Sequence, residues 1–291
     1  MEKIEIFKRE KFDILFYPDI GMSIEMYYLS LIRLAKYQIM SWGHPETTGS
    51  ESIDYFLCSK SLITNETSKS YSEKLLLMDH LPMIYEIPNV IRKLNDKDLS
   101  KKNIYSCPQT MFKFHPDFDH LLAKILEKDK KGILYLIKDS NKIYYQKLIN
   151  RFKKIKNFDL DRVIFIDTQK RDDYINHLGT SSVLLDPLYF GAGNSFHESM
   201  VYGTPTVTMP TKYLRTKIVQ GAYKQMKIEK PPVVDNTEDY ISTAIEIANM
   251  DQNKLLEMKK YYSECAEKNL FENKEALKSF QNVIISIAKK N

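Results

Sequence analysis

Short apolar runs alternate with amphipathic stretches along most of this chain. Residues 12–17 (FDILFY) form one such run and end at Pro18-Asp19-Ile20-Gly21, which predicts a strand followed by a turn. Residues 27–36 carry apolar side chains at helical spacing, 38–42 read as a second strand closed by Gly43-His44-Pro45, and 54–58 as a third. A less regular stretch follows. From 103 the pattern is cleaner, with strands predicted at 103–107, 132–138, 162–166, 182–186 and 206–209. Helices are predicted between them at 117–128, 142–154, 171–177 and 195–202, and after them at 212–225, 237–250, 252–268 and 274–289. Strands separated by helices of this length call for parallel βαβ units. No repeat and no low-complexity linker interrupts them. The polar stretch 93–102 (KLNDKDLSKK) is the expected boundary. The pattern predicts a partial α/β block over 1–98, a complete one over 103–270, and a last helix, 271–291, packed back on the first.

Composition narrows the class. With 291 residues, 43% of them apolar and 12% aromatic, the chain can bury a sizeable core. The formal charge of +5 is spread without blocks, which suits an anionic small ligand better than a nucleic acid. Cys58, Cys107 and Cys265 lie far apart and form no CxxC pair, as in a protein of a reducing compartment. The first ten residues alternate in charge and lack the apolar core of a signal peptide. No apolar run approaches the roughly 20 residues of a membrane span. The expectation is a cytoplasmic protein that binds neither membrane nor nucleic acid.

Chemistry concentrates at 184–198 (LLDPLYFGAGNSFHE), where a buried strand runs through a glycine-bearing loop into a helix capped by Asn194 or Ser195. In a parallel sheet, ligands sit outside the carboxyl ends of the strands. Free amides and the positive helix end favour an anion there, and glycines let backbone approach it. Glu198, one turn in, is placed to accept hydrogen bonds from ribose hydroxyls. The plain alternative is a corner whose glycines serve the turn and whose Asn-Ser serves the cap, since neither a dinucleotide fingerprint nor a P-loop is present. Lys113, in the stretch PQTMFK (108–113) after the first strand of the block, emerges at the same edge, and so does Arg171 after the third. Three Asp-x-Asp triplets, at 96–98, 117–119 and 159–161, fit neither that edge nor a metal site, and His115 with His120 lacks a third ligand.

The stretches YPDIGM (17–22), QIMSWGHPETTGSESIDYFL (38–57), YSEKLLLM (71–78), CPQTMFKFHPDF (107–118), RVIFI (162–166), QKRDDY (169–174) and VLLDPLYFGAGNSFHESMVYGTPTVTMP (183–210) together resemble the O-GlcNAc transferase/SPINDLY family of protein glycosyltransferases, above all its bacterial members. The resemblance covers about residues 12–250. It implies a GT-B-like α/β fold, two Rossmann-type domains facing across a cleft, with parallel sheets flanked by helices. The chain would supply the whole C-terminal domain and the later part of the N-terminal one, without tetratricopeptide repeats. The implied reaction is metal-independent and inverting. It transfers N-acetylglucosamine or another hexose from a UDP-sugar donor to a protein or peptide acceptor, with no cofactor and with a partner chain or homo-oligomer allowed.

The same resemblance assigns the residues. Lys113, with Gln109 in the same motif, falls on the lysine turned to the donor diphosphate. Asn194 and Ser195, after Gly193, fall on the polar pair that meets the phosphates, Glu198 on the acidic ribose position, and Arg171 on a basic residue near the uridine. His44, a catalytic candidate of the first block, falls on a histidine that related bacterial N-glycosyltransferases keep, while Asp19 is a catalytic candidate from its place at the end of residues 12–19 (FDILFYPD), the alternatives being a turn histidine and a turn or cap aspartate. Gly193-Asn194-Ser195 departs from the His-Thr-Thr or Asn-Thr of the wider family, which leaves the sugar and nucleotide open. An incomplete first block also allows a second function, a nucleotide-sugar-binding module without turnover.

Overall fold

The computed structural model describes residues 2–91, 103–138 and 141–289. The chain divides into two compact units, Met1–Ile84 with Lys212–Arg215 and Glu272–Asn291, and Tyr85–Thr211 with Thr216–Phe271. The expected boundary stretch 93–102 lies outside the described residues.

The first unit opens with helix α1 (Glu2–Glu10), strand β1 (Ile14–Tyr17) and helix α2 (Ile24–Ser30). Strands β2 (Tyr37–Ser41) and β3 (Tyr55–Ser59), the single-turn helix α3 (Asn65–Ser68) and strand β4 (Lys74–Met78) follow. The strands pair in parallel in the order β1-β2-β3-β4. β3 is buried along its whole length, as a central parallel strand should be.

Three features differ from the pattern reading. The charged start is helical. α2 begins and ends earlier than expected, because the Ser23 side chain accepts the Met26 amide and starts the helix there. β4 lies in the stretch read as irregular, since an end strand pairs on one side only and its residues alternate little in burial.

The second unit contains β5 (Asn103–Cys107), α4 (Pro116–Lys128), β6 (Gly132–Ile137), α5 (Lys142–Phe152), β7 (Val163–Ile166), α6 (Arg171–Thr180), β8 (Val183–Leu185), α7 (Asn194–Ser199) and β9 (Thr206–Val207). Helices α8 (Ile218–Met226), α9 (Thr237–Ala248) and α10 (Gln252–Asn269) complete it, and α11 (Lys274–Ala288) belongs to the first unit. The span 212–225, expected to be one helix, is a short turn followed by α8.

The second sheet is parallel in the order β7-β6-β5-β8-β9. Its core packs Phe118, Leu122 and Leu126 of α4 and Tyr240, Ile241 and Ala244 of α9 with Tyr105, Leu134, Val183 and Val207 of the strands. In the first unit, Ile39, Leu57 and Met78 pack with Ile287 of α11, and Phe280 meets Phe16 edge to face. The strand order sets the position of the site. Winding reverses at β5, so β5 and β8 are neighbours in the sheet (Tyr105 beside Val183, Ser106 beside Leu184), although 75 residues lie between Cys107 and Val183 in the chain. Such a reversal leaves a crevice at the carboxyl ends of the two strands.

Candidate functional site: the carboxyl edge at the sheet reversal

The segments leaving β5 and β8 converge here on one cation. Lys113 closes a single 3₁₀ turn, Met111–Lys113, and its Nζ donates to Gln109 Oε1 (2.9 Å) and to the Gly191 carbonyl (3.2 Å). It also lies 4.6 Å from the centre of the Phe190 ring. All of these are neutral groups. Burial pulls the ammonium below its ordinary range, and the charge of Asp186 pulls it back up.

Gln109, itself buried, donates through Nε2 to Ser195 Oγ, so one side chain ties the lysine to the head of α7. The Phe196 and His197 amides reach back to the Gly193 carbonyl. The Asn194 and Ser195 amides precede these first intrahelical bonds and are therefore left for an outside acceptor. Contrary to the sequence expectation, neither Asn194 nor Ser195 caps the helix. Gly193 holds that position without a side-chain bond, and a Cβ there would meet nothing within 4 Å.

Asp186 anchors the loop from below. It is buried, and its two carboxylate oxygens accept the Ala192 amide (2.6 Å) and the Thr208 hydroxyl (2.6 Å). Burial raises it to about 6, despite Thr208, the Ala192 amide and Lys113, which all favour the charged form.

Further along α7, Glu198 stands 4.0 Å from Arg171 Nε at the start of α6. Burial raises the Glu198 carboxyl, and Arg171 opposes the rise. Two side chains that the sequence reading did not select complete this edge. The Tyr85 hydroxyl donates to Asn194 Oδ1 (2.7 Å), and its ring stacks on His197 at 3.6 Å and 21°. His197 is buried, its Nδ1 is 3.1 Å from the Gly193 carbonyl, and burial lowers it to about 4, so it is neutral near pH 7.

In the first unit, Asp19 and His44 occupy adjoining turns after β1 and β2. Neither contact leaves room for a side chain on the glycine as the two turns stand. A Cβ on Gly21 would lie 2.2 Å from the His44 ring, and one on Gly43 would lie 2.5 Å from the Pro18 carbonyl and 2.8 Å from Asp19 Cβ. Asp19 Oδ1 accepts the Met22 amide (3.3 Å), the turn role named as its alternative. The run after His44 is fixed by the buried Glu73. Its carboxylate accepts the Thr47 hydroxyl (2.8 Å) and the Thr48 amide (2.7 Å), while Glu46 pairs with Arg215 (2.6 Å).

No family model matches the chain. Among curated proteins, it is 25% identical over 257 residues to a UDP-glucose:protein N-beta-glucosyltransferase of Actinobacillus pleuropneumoniae, covering 86% of this chain and 40% of that protein. It is 23% identical over 227 residues, 74% of this chain and 23% of the relative, to a probable UDP-N-acetylglucosamine–peptide N-acetylglucosaminyltransferase, SEC, of Arabidopsis thaliana. Among solved structures, an O-GlcNAc transferase mutant of Thermobaculum terrenum superposes with a TM-score of 0.86 at 17% identity, over 99% of this chain and 56% of the other. Anabaena HepE, solved with UDP and glucose, superposes at 0.62 with 11% identity, over 99% and 80% of the two chains. The chain resembles the O-GlcNAc transferase-like protein glycosyltransferases in sequence and in fold. The fold is GT-B-like, and the chain spans less than half the length of the curated relatives it matches.

Within this glycosyltransferase-like chain, the structure brings Gln109, Lys113, Gly193, Asn194 and Ser195 to one edge, and Arg171 joins Glu198 beside them. His44 and Asp19 belong to the other unit. Asp117, Asp119 and Asp159 of the Asp-x-Asp triplets are engaged within the fold. Asp117 accepts the Tyr189 hydroxyl, Asp119 takes Arg151 in two bonds, Asp159 takes Arg162, and the 96–98 triplet lies outside the described residues. No group of three metal-ligating side chains occurs among the described residues, and no described helix is long and apolar enough to cross a membrane.

Proposed function

We propose that the chain binds a UDP-sugar at the carboxyl edge of the second sheet and transfers its hexose, as an inverting and metal-independent glycosyltransferase, to a protein or peptide acceptor. The observation that carries the reading is Lys113, a half-buried cation that, among the described residues, is held by neutral oxygens and a ring, with its charge uncommitted to a carboxylate at contact distance. A diphosphate bound there would lie between Nζ and the Asn194 and Ser195 amides. It gains negative charge as the sugar leaves, so these groups stabilise the transition state more than the ground state. This supplies the charge that a metal supplies in other transferases. Glu198 takes the ribose hydroxyls, and Arg171 lies on the nucleoside side. Asp19 and His44 are the catalytic candidates of the first unit.

The test is turnover of UDP-N-acetylglucosamine and UDP-glucose with a peptide acceptor, in excess chelator, by wild type and Lys113→Ala. The expected outcome is undiminished turnover with chelator and about 10²–10³-fold less in the variant. Equal turnover by the variant overturns the assignment. UDP binding without turnover of either donor supports the second reading, a donor-binding module.

A further inference from the structure

Lys113 and Asp186 grip opposite ends of one peptide group, the one joining Gly191 to Ala192. Its carbonyl accepts Lys113 Nζ at 3.2 Å and its amide donates to Asp186 Oδ1 at 2.6 Å. The peptide dipole thus points its positive end at the carboxylate and its negative end at the ammonium. Thr208 holds the second carboxylate oxygen, and the Tyr240 hydroxyl donates to the Asp186 carbonyl (2.8 Å), so the aspartate itself is fixed on two sides. We propose that Asp186 is a positioning residue of the donor site, which holds Lys113 and its charge at the head of α7 through this peptide. The proposal rests on the reading of Lys113 as the diphosphate ligand and names the group that maintains it.

The consequence is electrostatic more than steric. Among the described residues, the titratable groups that interact with Asp186 are Cys107 of β5, Lys113, Tyr223 of α8 and Tyr240 of α9. Burial disfavours the charged form of every one of them, and Lys113 is the only cation in the set. Asp186→Asn keeps the shape. Its carboxamide oxygen can accept the Ala192 amide and its NH₂ can donate to Thr208. What the variant loses is the charge that favours the Lys113 ammonium. A raised folded-state carboxyl stabilises the fold below its unfolded value, and that contribution is lost as pH rises through about 6. Above that pH the ionised side chain costs stability, and asparagine does not carry the cost.

Calorimetric titration of UDP into wild type, Asp186→Asn and Lys113→Ala tests this at about pH 7 and about pH 9, with thermal midpoints measured at both. Relative to wild type at the same pH, the asparagine variant should bind within about threefold at the lower pH and about tenfold more weakly at the higher. Its midpoint should be held or raised. Wild-type affinity at both pH values overturns the inference, and so does an equal loss at both with a fallen midpoint, the signature of a structural role. Should the variant not fold, the Ala192 amide of the labelled wild-type protein reports on Asp186 directly. Its chemical shift should titrate near pH 6, and Lys113→Ala should raise that midpoint, because coupling is reciprocal. An unmoved midpoint overturns the inference. Absence of UDP binding by wild type is a separate result and removes the underlying donor-site reading instead.

Discussion

Two lysines of the second unit are held in nearly the same way and differ in what surrounds them. Lys259 of α10 is buried and donates to the Gly179 (2.8 Å) and Ser181 (2.6 Å) carbonyls, where α6 ends. Gly203 closes over it with φ of 63°, its missing Cβ only 1.8 Å from the Lys259 carbonyl. Lys113 likewise donates to one backbone carbonyl and one amide oxygen, and burial pulls both ammonium groups below their ordinary range. Neutral acceptors satisfy each cation without cancelling its charge. Around Lys259 the packing is closed, so the side chain can only pin α10 to the end of α6. Around Lys113 the enclosure is partial and α7 presents its first amides beside it, so the same arrangement can receive an anion. Enclosure, more than the hydrogen-bonding pattern, separates a structural lysine from a ligand-binding one.

The comparison breaks most visibly at Lys113. Its alanine variant should lose about 10²–10³-fold in turnover with a thermal midpoint near wild type, since the side chain is only half-buried. The sealed region responds in the opposite way. Gly203→Ala should destabilise by about 3 kcal/mol or more, because it combines a left-handed backbone with a clash against backbone, a combination that leaves no room to relax. Denaturant unfolding measures it.

Lys259→Met should change the pH dependence of stability. Burial lowers the ammonium from 10.5 to about 7, so between those values the unfolded chain holds one proton more than the folded one. Wild-type stability should therefore rise with pH in that window, at up to about 1.4 kcal/mol per pH unit, and be lost as pH falls toward 7. The methionine variant should lack that component in thermal scans across the window. The smallest effect is expected from Tyr85→Phe, which keeps the stack on His197 and removes the bond to Asn194. UDP affinity should fall by about two- to fivefold, as for a single neutral hydrogen bond.

Much of the second unit was legible because β6, β7 and β8 are unbroken apolar runs and its helices carry capping residues, such as Asn236 before α9 and Asp251 before α10. β4 was not, since a one-sided end strand does not show a fully buried pattern. The edge argument placed Lys113 and the 191–195 loop together correctly, because in a parallel sheet every strand-to-helix loop leaves at the carboxyl edge; the order that makes β5 and β8 neighbours is not written in the local pattern. Side-chain pairing was less accessible. Tyr85 reaches Asn194 from 109 residues away, and no local spacing announces that contact. Asp186 looked like the end of a strand, and its role appears only once the loop folds back to put the Ala192 amide on its carboxylate. The cap at Gly193 was misread as Asn194 or Ser195 because both are strong cap formers. Their side chains are instead taken by Tyr85 and Gln109.

The central claim is that Lys113 binds a donor diphosphate at the reversal of the second sheet, and UDP titration by calorimetry into wild type and Lys113→Ala measures it most directly. The account predicts saturable binding to wild type and at least about tenfold weaker binding to the variant at an unchanged thermal midpoint. Equal affinity in the two proteins, or no binding to either, would contradict it.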